Sequence, residues 1–305
     1  MIIAAFTAEA EDISRRNGDE TGKDQSIMRG GVMSKRTEKH VEYKSDYHKG
    51  FIEVFRNLTQ RLGRFQIWSD FVVMTACAIS NAFDTRFATQ REEAYKECAS
   101  RYGADEISQI AELFSMTIMA LEDNPAQDFL GDIFGSLNSH NEWHGQFFTP
   151  YHIGSMMARM QLPDKPVEEL WTEPITICDP CCGAGCLLIA CANEAKKLSV
   201  NYQEKMMFYA QDIDRIAALM CYIQLSLLGC KAFIKIGNSL TDPLTENESL
   251  DENIWLTPML AGETIFKLFG LQAGRKGKYD VVEEGIQPDE NSDESRQPLE
   301  GKVSA

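Results

Sequence analysis

The run Ile175-Thr176-Ile177-Cys178-Asp179-Pro180-Cys181-Cys182-Gly183-Ala184-Gly185-Cys186 decides the fold. Three β-favouring residues lead to an acidic residue, then to a turn with two glycines, then to an apolar helix over roughly Cys186 to Leu198. Strand, Gly-rich turn and helix in that order open a nucleotide-binding α/β sheet. Gly183 and Gly185 let the backbone turn tightly and let a ligand approach it closely. The helix aims its unpaired N-terminal N–H groups at the same spot.

Downstream the pattern repeats. Met206 to Gln211 reads as a second strand and Ala232 to Ile236 as a third. Between them Asp214 caps a helix running to Leu228, with Ile216, Leu219, Met220, Ile223 and Leu227 on one face and Gly229 placed to end it. These β-α-β-α-β units with short links predict a parallel sheet with right-handed crossovers. Asn253 to Leu256 is a further short strand candidate.

Upstream, Leu162 to Pro174 is a Pro- and Glu-containing connection, and Trp143 to Pro150 is a loop. Thr149 suits an N-cap and Pro150 the first position of the helix that follows. Ile153, Met156, Met157 and Met160 are expected on that helix's buried face. Residues 45–140 show only helical periods. The stripes are Phe51, Val54, Phe55, Leu58 and Leu62; Trp68, Phe71, Val72, Thr75 and Ile79; Ile107, Ile110, Leu113, Phe114 and Ile118; and Phe129, Leu130, Ile133, Phe134 and Leu137. They predict an all-helical subdomain of four or five helices, broken at Asn124-Pro125. Residues 1–44 are polar and without apolar period, and residues 271–305 are acidic and poor in aromatics; both read as disordered. Met33-Ser34-Lys35-Arg36 offers an alternative start.

The 305 residues carry a net charge of −16, which argues against a module that grips bare DNA through phosphate neutralisation. Nine cysteines, an odd number, lie partly inside expected helices and strands. Met1 to Phe6 is apolar but lacks a basic flank, and the apolar run from Phe71 to Ile79 is too short for a membrane span. A reduced, soluble, cytoplasmic protein with no membrane partner follows. The cluster Cys178, Cys181, Cys182, Cys186 and Cys191 lacks the two separated cysteine pairs of a structural metal site, Cys178 falls in an expected buried strand, and Cys186 and Cys191 fall on a helix. His140, His144 and His152 fit no metal-ligand spacing, so no metal is expected.

Taken with Gly145-Gln146-Phe147-Phe148-Thr149-Pro150 upstream, and with Gln211-Asp212-Ile213-Asp214 and Gly237-Asn238-Ser239-Leu240 downstream, the set resembles the N6-adenine DNA methyltransferases. The similarity is to the modification subunits of type I restriction systems and their phage or mobile-element relatives. It implies an α/β fold: a helical subdomain, then a Rossmann-like, S-adenosylmethionine-dependent methyltransferase sheet over residues 141–270. It implies DNA as substrate, reached with a specificity subunit or other restriction-modification subunits. S-adenosylmethionine would lie against Phe148, Thr149, Pro150, Asp179, Gly183, Gly185, Asp212 and Asn238. Phe148 and the Thr149 region would cover the methionine part, which Asp179 positions. Asp212 would take the ribose, with Asp214 its rival, and Asn238 would accept from the adenine amino group.

Methyl transfer to adenine N6 also needs the base extruded and held at its edge. The family does this with Asn/Asp/Ser-Pro-Pro-Tyr/Phe after a fourth strand. Here the nearest counterpart is Leu256-Thr257-Pro258-Met259, which makes Thr257 and Pro258 a degenerate catalytic candidate; Asp242-Pro243-Leu244 follows the third strand too closely. Beyond Leu260 there is neither the length nor the apolar content for a full set of later strands. The expectation is therefore an adenine-specific methyltransferase-like chain shortened at its C-terminus. The alternative is an inactive relative that binds the cofactor or another protein.

Overall fold

Helix α1 (Asp46–Leu58) starts where the Ser45 hydroxyl accepts the His48 amide at 3.1 Å, and Asp46 sits in its first turn. Helices α2 (Arg64–Asn81), α3 (Ala88–Ala99), α4 (Ala104–Asp123) and α5 (Phe129–Leu137) follow. In this computed structural model, residues 44–137, 148–162, 174–245 and 248–262 are described. The expected N-terminal segment up to residue 43, residues 145–147, most of the 162–174 connection and the acidic tail lie outside them.

The helical stripes bury as their spacing requires. Phe51, Phe55, Trp68, Phe71 and Phe134 form one aromatic cluster, with Phe51 edge-on to Phe71 at 5.5 Å. Helix α3, which no sequence stripe marked, buries Tyr95, Cys98 and Ala99 and adds a buried polar anchor. Arg91 is buried, pairs with Asp84 at 3.1 Å, donates to Ile254 O at 2.9 Å and lies 4.2 Å from the Trp255 ring.

Helix α6 (Tyr151–Gln161) departs from expectation. Pro150, not Thr149, takes the cap position, and its carbonyl accepts from Ile153 and Gly154. The face turned inward is Gly154 and Ala158. Ile153, Met156, Met157 and Met160 are exposed, Met156 at 55% and Met160 at 78%. The reason is close approach. A Cβ on Gly154 would stand 3.2 Å from Cys186 Sγ and 3.6 Å from Ala190 Cβ, so only small residues fit between α6 and the next helix.

The sheet follows: β1 (Ile175–Asp179), α7 (Cys186–Lys197), a single helical turn α8 (Tyr202–Lys205), β2 (Met206–Asp212), α9 (Arg215–Leu227), β3 (Ala232–Ile236) and β4 (Ile254–Leu256). The strand order is β1-β2-β3-β4. β1 to β3 are parallel, with Asp179 opposite Ala210 and Asp212 opposite Ile236. β4 is antiparallel to β3, so the sheet is mixed rather than wholly parallel. Asp214 caps α9 by accepting from Ile216 and Ala217, and Gly229 follows its end at φ +69°.

Phe208, Ala210, Ile175 and Ile177 face α7 and α9 and join one continuous core with the helices of residues 46–137. The opposite face differs. Thr176 and Cys178 are exposed there, which corrects the reading of Cys178 as a buried strand residue. Over β2 and β3 that face is covered by Leu244, Leu256, Leu260 and Ala261 around Tyr209 and Phe233. No helix among the described residues is long and apolar enough to cross a membrane.

Candidate functional site

The C-terminal ends of β1, β2 and β3 meet at the glycine turn. Cys182 donates its amide to Gln211 O at 2.9 Å, and Gly237 donates to Asp212 O at 2.9 Å, so the ends of all three strands are tied together. Gly183 at φ +54° and Gly185 at φ +95° occupy the left-handed region, where a side chain is strained. At Gly185 the space is also closed. A Cβ there would lie 2.9 Å from Cys221 Sγ on α9.

Asp212 ends β2 and reaches back to the turn. Its Oδ2 accepts the Gly183 amide at 2.8 Å and its Oδ1 accepts the Asp214 amide at 2.9 Å. Asp179 Oδ1 accepts the Cys181 amide at 3.1 Å. Burial pushes the Asp179 carboxyl above its usual range; the Cys181 amide opposes this and the Asp212 carboxylate adds to it. Two carboxylates thus share one mouth, and that field favours a ligand with positive charge.

The Phe148 ring flanks the turn. A Cβ on Gly183 would come 3.0 Å from its edge, and the ring packs edge-on to Phe134 at 5.3 Å. Thr149 and Pro150 follow it and are exposed. Asn238 comes to the same end of the sheet from β3, and its neighbour Ser239 places Oγ 3.9 Å from Cys181 Sγ. The Asn238 Oδ1 accepts the Leu240 amide at 2.9 Å, which fixes the turn and leaves its second lone pair. Phe148, Asp179, Gly183, Gly185, Asp212 and Asn238 are therefore brought together.

Thr257 and Pro258 are not. β4 runs against β3, so its C-terminal end lies where β3 begins. Thr257 N donates to Ala232 O at 3.0 Å, and its hydroxyl accepts from Ala232 N at 2.9 Å and donates to Cys230 O at 2.7 Å. Four residues of strand, roughly 13 Å, separate that level from Ile236. Thr257 is fully buried and closes a strand pair at the end of the sheet opposite the glycine turn.

Three features escaped the sequence reading. Ile213, beside Asp212, is 70% exposed and offers an apolar surface at the end of β2. Gln211 is buried and pins the segment after β3, donating to Asp242 O at 2.8 Å and accepting the Leu244 amide at 2.9 Å. Lys235 pins it too, pairing with Asp242 at 2.8 Å and Glu248 at 2.9 Å. A lysine inside an apolar strand with acidic residues in the next loop was the available signal. Among the described residues no three His, Cys, Asp or Glu side chains form a metal-holding group.

Residues 125–258 match the family model described as N-6 DNA methylase. Over this segment, which is under half of the chain, the protein is similar to that family. The match begins just before α5, so the matched segment includes the last helix of the helical region as well as the four-stranded sheet. None of the curated proteins matches the chain. Among solved structures, the type I restriction-modification system methyltransferase subunit from Streptococcus thermophilus is 15% identical, at a TM-score of 0.38 over 66% of this chain and 41% of that one. The chain thus spans less than half the length of that subunit.

Proposed function

We propose that this methylase segment binds S-adenosylmethionine at the C-terminal ends of β1 to β3, as part of an adenine-N6 DNA methyltransferase related to type I modification subunits. The observation that carries the reading is the Asp212 carboxylate bonded to the Gly183 amide, with Asp179 beside it and Phe148 against the turn. Gly183 and Gly185 let a ligand reach the backbone. The free acceptor capacity of Asp212 suits the ribose hydroxyls, Ile213 and Leu240 offer apolar surface to a planar base, and Asn238 suits the base edge. Asp179 suits the cationic methionine end, and Thr149 and Pro150 stand next to Phe148 on that side. When bound, the cofactor supplies an electrophilic methyl group; the residues named orient it.

DNA and a sequence-reading subunit are the proposed partners, and the cytoplasm is the proposed compartment. The charge of −16 fits docking on a basic protein better than on bare duplex. The position of Thr257 supports a second reading, in which the chain holds the cofactor or a partner but the transferring groups come from elsewhere.

Calorimetric titration of the whole chain with S-adenosylmethionine tests the proposal, with Asp212→Ala as control. Binding by the wild type that is lost in the variant supports it. A folded wild type that takes up no S-adenosylmethionine would overturn it. Methyl transfer to DNA with candidate partner subunits then separates the two readings.

A further inference from the structure

Gln224 lies in the middle of α9, fully buried, where a helix facing an apolar core would ordinarily carry leucine. All of its side-chain hydrogen bonds leave its own helix. Nε2 donates to Ala184 O at 2.8 Å and to Asp128 Oδ1 at 2.8 Å, and Oε1 accepts the Leu130 amide at 3.1 Å. Ala184 is the residue between the two turn glycines. Asp128 and Leu130 belong to the start of α5, and Asp128 Oδ1 also accepts the Gly131 amide at 2.9 Å. A Cβ on Gly131 would collide with that carboxylate, so the segment is closed around it. One buried amide therefore joins the helical region to the underside of the proposed cofactor turn, while Asp212 holds the same turn from above through Gly183.

We infer that Gln224 is a positioning residue for the cofactor turn and makes its geometry depend on how α5 is seated. The inference rests on the cofactor reading for its functional meaning, but its structural core does not. Neighbouring groups support a mechanical link. The two glycines have no side chain of their own to hold the turn; Cys182 and Ala184 bury theirs in the core, Gly185 N donates to Cys182 O at 2.8 Å, and Gln224 adds the side-chain hydrogen bond that fixes the peptide between the glycines. A buried carbonyl without a donor would be costly, so Ala184 O is satisfied only while Gln224 stays in place. Movement of α5 by a partner docked on the helical region would be passed to the turn through this amide.

The test compares Gln224→Met with a control of matched thermal stability, Ile110→Ala in α4, in the whole chain. Amide hydrogen exchange at Gly183 and Gly185 is expected to speed up about tenfold in Gln224→Met, as for one lost buried hydrogen bond, with no such change in the control. The dissociation constant for S-adenosylmethionine is expected to rise by a similar factor in Gln224→Met alone. Equal turn protection in the two variants would overturn the inference. If Gln224→Met does not fold, native-state exchange of the wild type decides the matter. The Leu130 amide and the turn amides are expected to open as one cooperative unit as denaturant is added, and independent opening would refute the link. A wild type that binds no S-adenosylmethionine removes the cofactor reading and leaves the link to be judged by exchange.

Discussion

The carboxylate of Asp212 accepts the amide of Gly183 at 2.8 Å across the gap between β2 and the turn after β1. The bond spends one oxygen on holding the turn while the other holds the Asp214 amide. An asparagine at this position can accept at only one of those sites. Asp212→Asn is expected to keep the fold, lose about 1 kcal/mol of stability, and weaken S-adenosylmethionine about tenfold. Asp212→Ala loses both acceptors and should bind more weakly still. Calorimetry and urea unfolding on the same samples check the order.

The two turn glycines should fail in different ways. Gly185→Ala places a Cβ 2.9 Å from Cys221 Sγ and 3.4 Å from its Cα, on a backbone at φ +95°. The helix backbone cannot yield, so a loss of about 2–4 kcal/mol is expected. Gly183→Ala sits at φ +54°, a basin that other residues enter at a cost of about 1 kcal/mol. Its Cβ would press on the Phe148 ring at 3.0 Å, and that ring can move. Thermal unfolding should therefore single out Gly185→Ala, whereas ligand titration should find Gly183→Ala impaired with only modest destabilisation.

How legible this was in the sequence depended on the kind of physics involved. β1 to β3 and their helices were legible because turn glycines, the Asp214 cap and strand periods are local signals. The burial of α6 was not. Its large apolar residues point outward because Gly154 and Ala158 allow a closer approach to α7, a choice set by the neighbour and not by helical period. The direction of β4 was not legible either, since three residues of strand carry no mark of parallel or antiparallel pairing. That direction is what moves Thr257 away from the glycine turn. Asp179, Gly183, Asp212 and Asn238 lie at one end of the sheet because each ends or follows a strand that the local pattern marks. The clamps from Gln211, Lys235 and Gln224 rest on long-range hydrogen bonds that no spacing reveals.

The exposed face of α6 makes a direct comparison possible. Met160→Lys and Met156→Lys are expected to change stability by no more than about 0.5 kcal/mol. Ala158→Leu, at a buried position on the inward face of α6, should cost about 1–3 kcal/mol through overpacking. Urea midpoints for the three variants give the answer. A large loss in the methionine variants would contradict the orientation of this helix.

Asp128 gives the stability a pH signature. Burial pushes its carboxyl up from 3.8 to about 6; the Gln224 amide and Gly131 N–H oppose the rise, Asp132 adds to it and Lys44 subtracts. The folded state therefore holds this proton more tightly than the unfolded chain. The associated stability is fully present below pH 3.8 and is lost as pH rises through about 6. A shift of about two units corresponds to about 3 kcal/mol at pH 7. Asp128→Asn cannot ionise, so its stability relative to wild type should climb between pH 4 and pH 7, less about 1 kcal/mol for an unpaired amide proton. Denaturant unfolding of both proteins across that range tests it. Parallel pH curves would show that Asp128 does not titrate in the folded protein.

Lys235 offers the most direct handle on the segment that carries Asn238. Burial would lower the pKa of its ammonium, but the Asp242 and Glu248 carboxylates overcome this and hold it above the ordinary lysine value. The pair with Glu248 is largely shielded from water, and the pair with Asp242 is open on the carboxylate side. Lys235→Met keeps the apolar stem and removes the charge. Asp242 can rehydrate, whereas Glu248 is left partly buried and unpaired, so a loss of about 1–2 kcal/mol is expected, short of a fully buried pair. The loop then loses its ion-pair anchor and keeps the Gln211 hydrogen bonds, so the segment that carries Asn238 is held less firmly. On the proposed reading, in which Asn238 meets the base edge, competition by adenosine for the bound cofactor should weaken more than competition by methionine. Equal weakening of both would place the effect of Lys235 on the whole site and not on the adenine side.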